Sequence, residues 1–326
     1  MNRAPRSKSR LLFAGLKLVI ISLVAWGISH TVRAALADLD RYAWSLQPWW
    51  LVPAGVSYLL GLLPSAIFWH RILLALGQRP RLLASLRAYY IGHLGKYVPG
   101  KALVVIMRAG LIKGARVDAT VAAVSVFLET LTMMAVGAGL AAGILILLFP
   151  QQRLLVGLAV AVMVASGLPT LPPVFRRLTR KIVAKNHDAA RVPLDGVSFR
   201  LMAAGWLAVA GGWVVTGLSL WATLRALGVE AQLPGRLPLL VASVSLAMVL
   251  GFLSLIPGGA GVREWVLATT MKPAFGSVNA VLSAIVLRLV WLLSELLISC
   301  ILYVSGPPAA SAAVSDQARS EPQDGS

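Results

Sequence analysis

Residues 119–149 read ATVAAVSVFLETLTMMAVGAGLAAGILILLF, an apolar run interrupted by one charge, Glu129. A bilayer core about 30 Å thick is crossed by about 20 apolar residues at about 1.5 Å of rise each. The stretch is long enough to span, and in lipid only a helix or a closed barrel satisfies its own backbone groups. Six further runs meet the same standard, at 11–29, 51–69, 154–174, 201–224, 237–256 and 278–304. Two more stretches, 91–107 and 262–275, are apolar but short or interrupted, and each contains or follows a Pro-Gly pair. The reading is an all-α, polytopic bundle of about seven crossings with two Pro-Gly re-entrant or broken-helix stretches.

Composition agrees. The chain is 58% hydrophobic and 13% charged, about half the charge of a soluble domain, with a mean hydropathy of +0.80. Its 30 Lys and Arg against 12 Asp and Glu give +18. A nucleic-acid binder needs a solvated basic face, whereas here the basic residues fill short gaps between apolar runs, so nucleic acid is not an expected partner. The lone Cys300 forms no internal disulfide and reads as a small packing residue. His30, His70, His93 and His187 share no metal-ligand spacing, and no nucleotide-binding or nucleophile motif stands in a meaningful context. No cofactor, metal or catalytic residue is expected.

The first run has a basic start and a downstream Ala35-Leu36-Ala37 that imitate a cleavage signal, but it exceeds the usual apolar length of one. It reads as an uncleaved helix. The organisation expected is a basic cytoplasmic N-terminus over 1–10, a membrane domain over 11–305 and a disordered tail over 306–326. Halves at 11–150 and 199–305 are joined by 151–198. Placing 1–17, 70–116, 175–200 and 257–277 in the cytoplasm puts 23 Lys and Arg there against 6 outside, with Arg288 inside the last run. That balance requires both Pro-Gly stretches to enter and leave by the cytoplasmic face. The cluster Arg176, Arg177, Arg180, Lys181 and Lys185 reads first as topology signal and second as a site for anionic headgroups.

The two Pro-Gly stretches resemble each other. One runs Gly92-His93-Leu94-Gly95-Lys96-Tyr97-Val98-Pro99-Gly100-Lys101 and is followed by Arg108. The other runs Phe252-Leu253-Ser254-Leu255-Ile256-Pro257-Gly258-Gly259-Ala260-Gly261-Val262-Arg263-Glu264. Both could be separate kinks in a Gly-rich chain; as an internal repeat they suit a transporter, whose site sits where broken helices meet. Pro removes an amide donor and Gly accepts left-handed torsions, so such a break leaves free amides facing an anion at the next helix start. Lys96, Lys101, Arg108 and Arg263 stand beside these ends.

Charges inside apolar runs need partners or a wet cavity. Glu129 lies 29 residues after Gly100 and Arg288 lies 30 after Gly258, which places them at equivalent levels of a repeat. Arg288 and Glu295 are two turns apart on one face. The expectation is that Glu129 and Arg288 are neighbours, in a network with Glu295. Asp118 reads as the cap of the helix beginning at residue 119.

At these two stretches, with Arg108 and Glu264 included, the sequence resembles the flippase-like membrane proteins related to the transmembrane domain of lysylphosphatidylglycerol synthase. The likeness covers about residues 10–305. It implies an inner-membrane protein that moves a lipid or lipid-linked headgroup between leaflets. By that likeness Lys96, Pro99, Gly100, Lys101, Arg108, Pro257, Gly258, Gly259, Gly261, Arg263 and Glu264 line the pathway, and the partners are anionic or lipid-linked lipids. The bifunctional synthases carry a soluble aminoacyl-transferase domain after the membrane part, where this sequence has about twenty polar residues, so transferase activity is not expected. Two other readings remain at this point. One is a membrane enzyme on a lipid-linked sugar or phosphate, with Glu264 or Asp118 as base; the other is a non-transporting scaffold of an envelope complex.

Overall fold

The computed structural model describes residues 45–97, 102–114, 116–148, 151, 153–183, 193–254 and 256–305. Among them lie nine α-helices and no β-strand: α1 (Leu51–Ala75), α2 (Leu82–His93), α3 (Ala102–Ile112), α4 (Ala119–Leu148), α5 (Arg153–Gly167), α6 (Pro172–Val183), α7 (Phe199–Ala226), α8 (Leu237–Leu253) and α9 (Val262–Val304). Four spans, Pro48–Ala75, Ala119–Leu148, Phe199–Ala226 and Val262–Val304, are long and apolar enough to cross a membrane. The α5–α6 pair, bent by 72°, makes a fifth if counted as one span. The run expected at 11–29 lies outside the described residues.

Local chemistry sets the boundaries. Asp118 Oδ1 accepts from the amides of Thr120 and Val121 at 2.8 and 2.9 Å, so it caps α4 as the sequence suggests. Ser198 caps α7 by accepting from Leu201 N at 3.2 Å. α6 turns Phe175 and Thr179 inward while Arg177, Arg180 and Lys181 face out, the pattern of a helix lying along an interface. α9 is interrupted at Gly276, whose φ of 79° and ψ of 166° no helix shares, three residues after Pro273.

α1 and α7 form the axis of the bundle and run antiparallel. Gln47 N donates to Ala226 O at one end, Ser219 Oγ donates to Ala54 O further along, and Gly205 meets Phe68 towards the other end. Gly61 and Gly212 mark the closest approach; a Cβ on Gly212 would stand 2.5 Å from Gly61 O. In lipid, where apolar side chains gain little by leaving their solvent, such small-residue contacts let dispersion and hydrogen bonds hold helices together.

The two Pro-Gly stretches are helical hairpins. In the first, α2 and α3 fold back so that Gly92 meets Arg108 and Gly95 meets Val104, and Arg79 N donates to Arg116 O across the open end. In the second, α8 and the first part of α9 fold back so that Gly251 meets Arg263, and the Arg236 guanidinium lies 5.8 Å from the Phe275 ring centre at the open end. The first opens beside Gln78 and Asp118, at the end of the bundle holding Ala75. The second opens at the end holding Ala226. Each half therefore reads long helix, hairpin, long helix, and the antiparallel axis inverts one against the other.

This corrects three expectations. The run at 237–256 does not cross: α8 has 17 residues, and the chain reverses at Pro257-Gly258. Residues 257–277 do not return to the end that holds 70–116, since Phe275 lies by Arg236 at the opposite end. And α9 finishes at the first hairpin's end, where Arg87 Nη2 donates to Tyr303 O, rather than opposite it. Apolarity misled because a hairpin arm within a bundle is as apolar as a crossing. The basic bias survives: Arg71, Arg79, Arg81, Arg87, Lys113, Arg116, Arg176, Arg177, Arg180, Lys181 and Arg200 lie towards that end, against Arg153, Arg225, Arg236 and Lys272 at the other.

Candidate functional site

The hairpin tips meet inside the bundle near its mid-depth, level with Tyr58 about two turns into α1 and with Glu129 about three turns into α4, which starts from the opposite end. Leu94–Tyr97 and Pro257–Gly259 are short 3-10 turns. Tyr97 Cδ1 lies 3.0 Å from where a Cβ on Gly258 would stand. Gly258 and Gly259 adopt φ of 61° and 65°, torsions that glycine accepts without steric cost. The tip needs both that freedom and the missing side chains.

Three ion pairs surround the tips: Arg108–Glu129 is buried, Lys96–Glu295 nearly so, and Arg288–Glu264 only half-buried. Arg108 Nη1 donates to Glu129 Oε2 at 2.8 Å, and Tyr89 Oη donates to Glu129 Oε1 at 3.0 Å. The Arg108 guanidinium also lies 3.8 Å from the Tyr89 ring centre, a cation–π contact that desolvation strengthens. Lys96 and Tyr58 both donate to Glu295 Oε1. Arg288 donates to Glu264 Oε1, while Glu264 Oε2 accepts from Gly261 N at the start of α9. His93 links the first two pairs. Its Nδ1 is 3.3 Å from Arg108 Nη2, and its Nε2 is 3.5 Å from Tyr58 Oη and 3.7 Å from Glu295 Oε1. A guanidinium only donates, so Nδ1 accepts and the ring proton sits on Nε2, facing Tyr58 and Glu295.

Glu129 and Arg288 are therefore not partners. They occupy corresponding helices of the two halves, as the repeat suggested, but each pairs inside its own half: Glu129 with hairpin residue Arg108, Arg288 with hairpin residue Glu264. Repeat-related positions are carried to opposite sides of the tips, and the shorter link is to the adjoining hairpin. The signs are exchanged between the halves.

Beside the tips lies a cavity of about 340 Å³. Lys96, Arg108, Glu129, Arg263, Gly258 and Gly259 form its polar floor, and Val104, Val105, Leu131, Met134, Val249 and Phe252 are among its apolar walls. Phe127, 59% exposed, stands at its rim on α4, so the cavity opens sideways between helices. Arg263 crosses the face of the second hairpin: a Cβ on Gly251 would lie 2.5 Å from its Cγ, and one on Gly259 would lie 2.7 Å from its Nε.

Residues 13–299 match the family described as the lysylphosphatidylglycerol synthase transmembrane region. The chain belongs to that family. Compared with the curated proteins, it finds no match.

Within this member of the lysylphosphatidylglycerol synthase transmembrane-region family, the expected site residues divide into groups. Lys96, Arg108, Glu129, Gly258, Gly259 and Arg263 line the cavity. Gly261, Glu264 and Arg288 form a cap and ion pair behind the second tip, and Glu295 holds Lys96 from α9. Pro257 lies in the tip turn, whereas Pro99, Gly100 and Lys101 lie outside the described residues. Sequence reasoning missed Tyr58, Tyr89 and His93. Tyr58 stacks on Trp291 at 4.4 Å between ring centres. A tyrosine in an apolar run looks like any aromatic filler; the available signal was its hydroxyl, which must find a partner when buried in lipid.

Proposed function

We propose that the protein moves a phospholipid or lipid-linked headgroup between the leaflets of the cytoplasmic membrane. The observation that carries this reading is the laterally open cavity whose polar floor is made by two hairpin tips entering from opposite ends. A headgroup on that floor can leave its tails among Phe127, Leu131 and Phe252, on the lipid side. An inverted repeat supplies two related packings of the same parts, as alternating access to a mid-depth site requires. The end rich in Lys and Arg is the cytoplasmic one on this reading, which puts the N-terminus inside.

The protein acts as a transporter rather than an enzyme on this reading. The carboxylates a lipid-modifying enzyme would use as base are engaged otherwise: Asp118 caps α4 and Glu264 holds Gly261 N and Arg288. Reconstitution tests the proposal. Liposomes containing fluorescent phosphatidylglycerol are exposed to a membrane-impermeant quencher. Protein-containing vesicles should lose signal from both leaflets; loss from the outer leaflet alone, as in empty vesicles, contradicts the proposal.

A further inference from the structure

Among the described residues at and around the hairpin tips, cations outnumber carboxylates. Among the described residues, Lys96 is matched by Glu295, Arg108 by Glu129 and Arg288 by Glu264. Arg263 has no carboxylate within ion-pair distance; its buried Nε has no hydrogen-bond partner, a feature shared by Arg108 Nε and Glu295 Oε2, so the missing carboxylate is what sets Arg263 apart. It lines the main cavity and also a second, much smaller one of about 20 Å³ beside Arg288 and Glu264. Both glycines under its side chain, Gly251 and Gly259, leave the space it occupies. An unpaired cation in a low-dielectric site is costly, and a well-placed counter-charge offsets part of that cost.

We propose that the cavity selects a lipid headgroup with one net negative charge, a single phosphodiester bound by Arg263. A headgroup with a phosphomonoester or diphosphate leaves surplus negative charge at the tips, and a net-cationic aminoacylated headgroup adds to the positive charge already there. Lys96 and Arg108 are positioning residues: each is held by its own carboxylate and shapes the floor without supplying net charge. The apolar walls and the exposed rim at Phe127 select a lipid over a free anion of the same charge. The proposal rests on the translocation reading for the lipid nature of the ligand; the charge assignment stands on Arg263 and the described residues around it.

The test measures binding rather than transport, on full-length protein in an uncharged detergent. Dihexanoyl phosphatidylglycerol, phosphatidic acid, phosphatidylethanolamine, lysylphosphatidylglycerol and tail-less glycerophosphoglycerol are titrated separately. Phosphatidylglycerol should bind about tenfold more tightly than the others, and Arg263→Gln should remove about that factor while Arg263→Lys keeps most of it. Glu129→Gln deletes one negative charge and should shift preference towards phosphatidic acid. Unchanged phosphatidylglycerol binding in Arg263→Gln overturns the proposal. So does tighter binding of phosphatidic acid or lysylphosphatidylglycerol by the wild type, or loss of selection in Lys101→Gln rather than Arg263→Gln. Equal binding of glycerophosphoglycerol overturns the lipid assignment in favour of a soluble anion. Charge selection without leaflet exchange contradicts only the transport reading, and exchange without charge selection contradicts only this one.

Discussion

Arg108 and Glu129 are both almost fully buried, at 2% and 1% exposure, so neither can be relieved by water if its partner is lost. Removing one member of such a pair typically costs about 3–5 kcal/mol, because the remaining charge stays buried and unpaired. Glu129→Leu should therefore lower the thermal unfolding midpoint in detergent sharply, and Arg108→Leu/Glu129→Leu should recover part of the loss. The double-mutant cycle should report a coupling of about 0.5–3 kcal/mol for Arg108 with Glu129 and near zero for Glu129 with Arg288. The reverse order would restore the pairing that sequence levels alone suggest. Those levels were legible because 29 and 30 residues separate the two charges from their Pro-Gly glycines. The partner was not legible. Which of two opposite charges lies nearer depends on how the hairpins fold back, and no spacing along the chain carries that.

The hairpins are the elements on which everything else is mounted. Their existence could be read from Pro-Gly in two apolar stretches, and the capping role of Asp118 from its place before a long run. Their direction could not. The second arm pair is apolar from residue 237 to 256, and a membrane-spanning helix has the same composition. Hairpin closure depends on glycine at the contact between arms: a Cβ on Gly95 would stand 2.8 Å from Val104 N, backbone that cannot rotate away. Gly95→Ala should destabilise the protein by about 1–3 kcal/mol. Gly110→Ala on the same hairpin meets nothing within 4 Å and should be neutral or slightly stabilising, as alanine favours a helix. Equal unfolding midpoints for the two variants would show that the arms are not in the close contact described.

At the scale of the whole molecule, an inverted repeat encloses a cavity of about 340 Å³ beside the tips, and a smaller one of about 20 Å³ lies beside Arg288 and Glu264. The all-helical membrane class was legible from hydropathy, since lipid leaves the backbone few choices. The site at mid-depth was only half legible, because its floor is assembled from hairpins that begin at opposite ends of the bundle. The opposed hairpins make the sidedness of two exposed lysines, Lys113 at the mouth of the first and Lys272 at the mouth of the second, the most direct measurement. In a Cys300→Ser background, Lys113→Cys and Lys272→Cys are labelled with a membrane-impermeant maleimide in intact and in permeabilised cells. Lys272→Cys should react in intact cells, and Lys113→Cys only after permeabilisation. Labelling of both from the same side would contradict the inverted arrangement of the hairpins and the mid-depth site built on it.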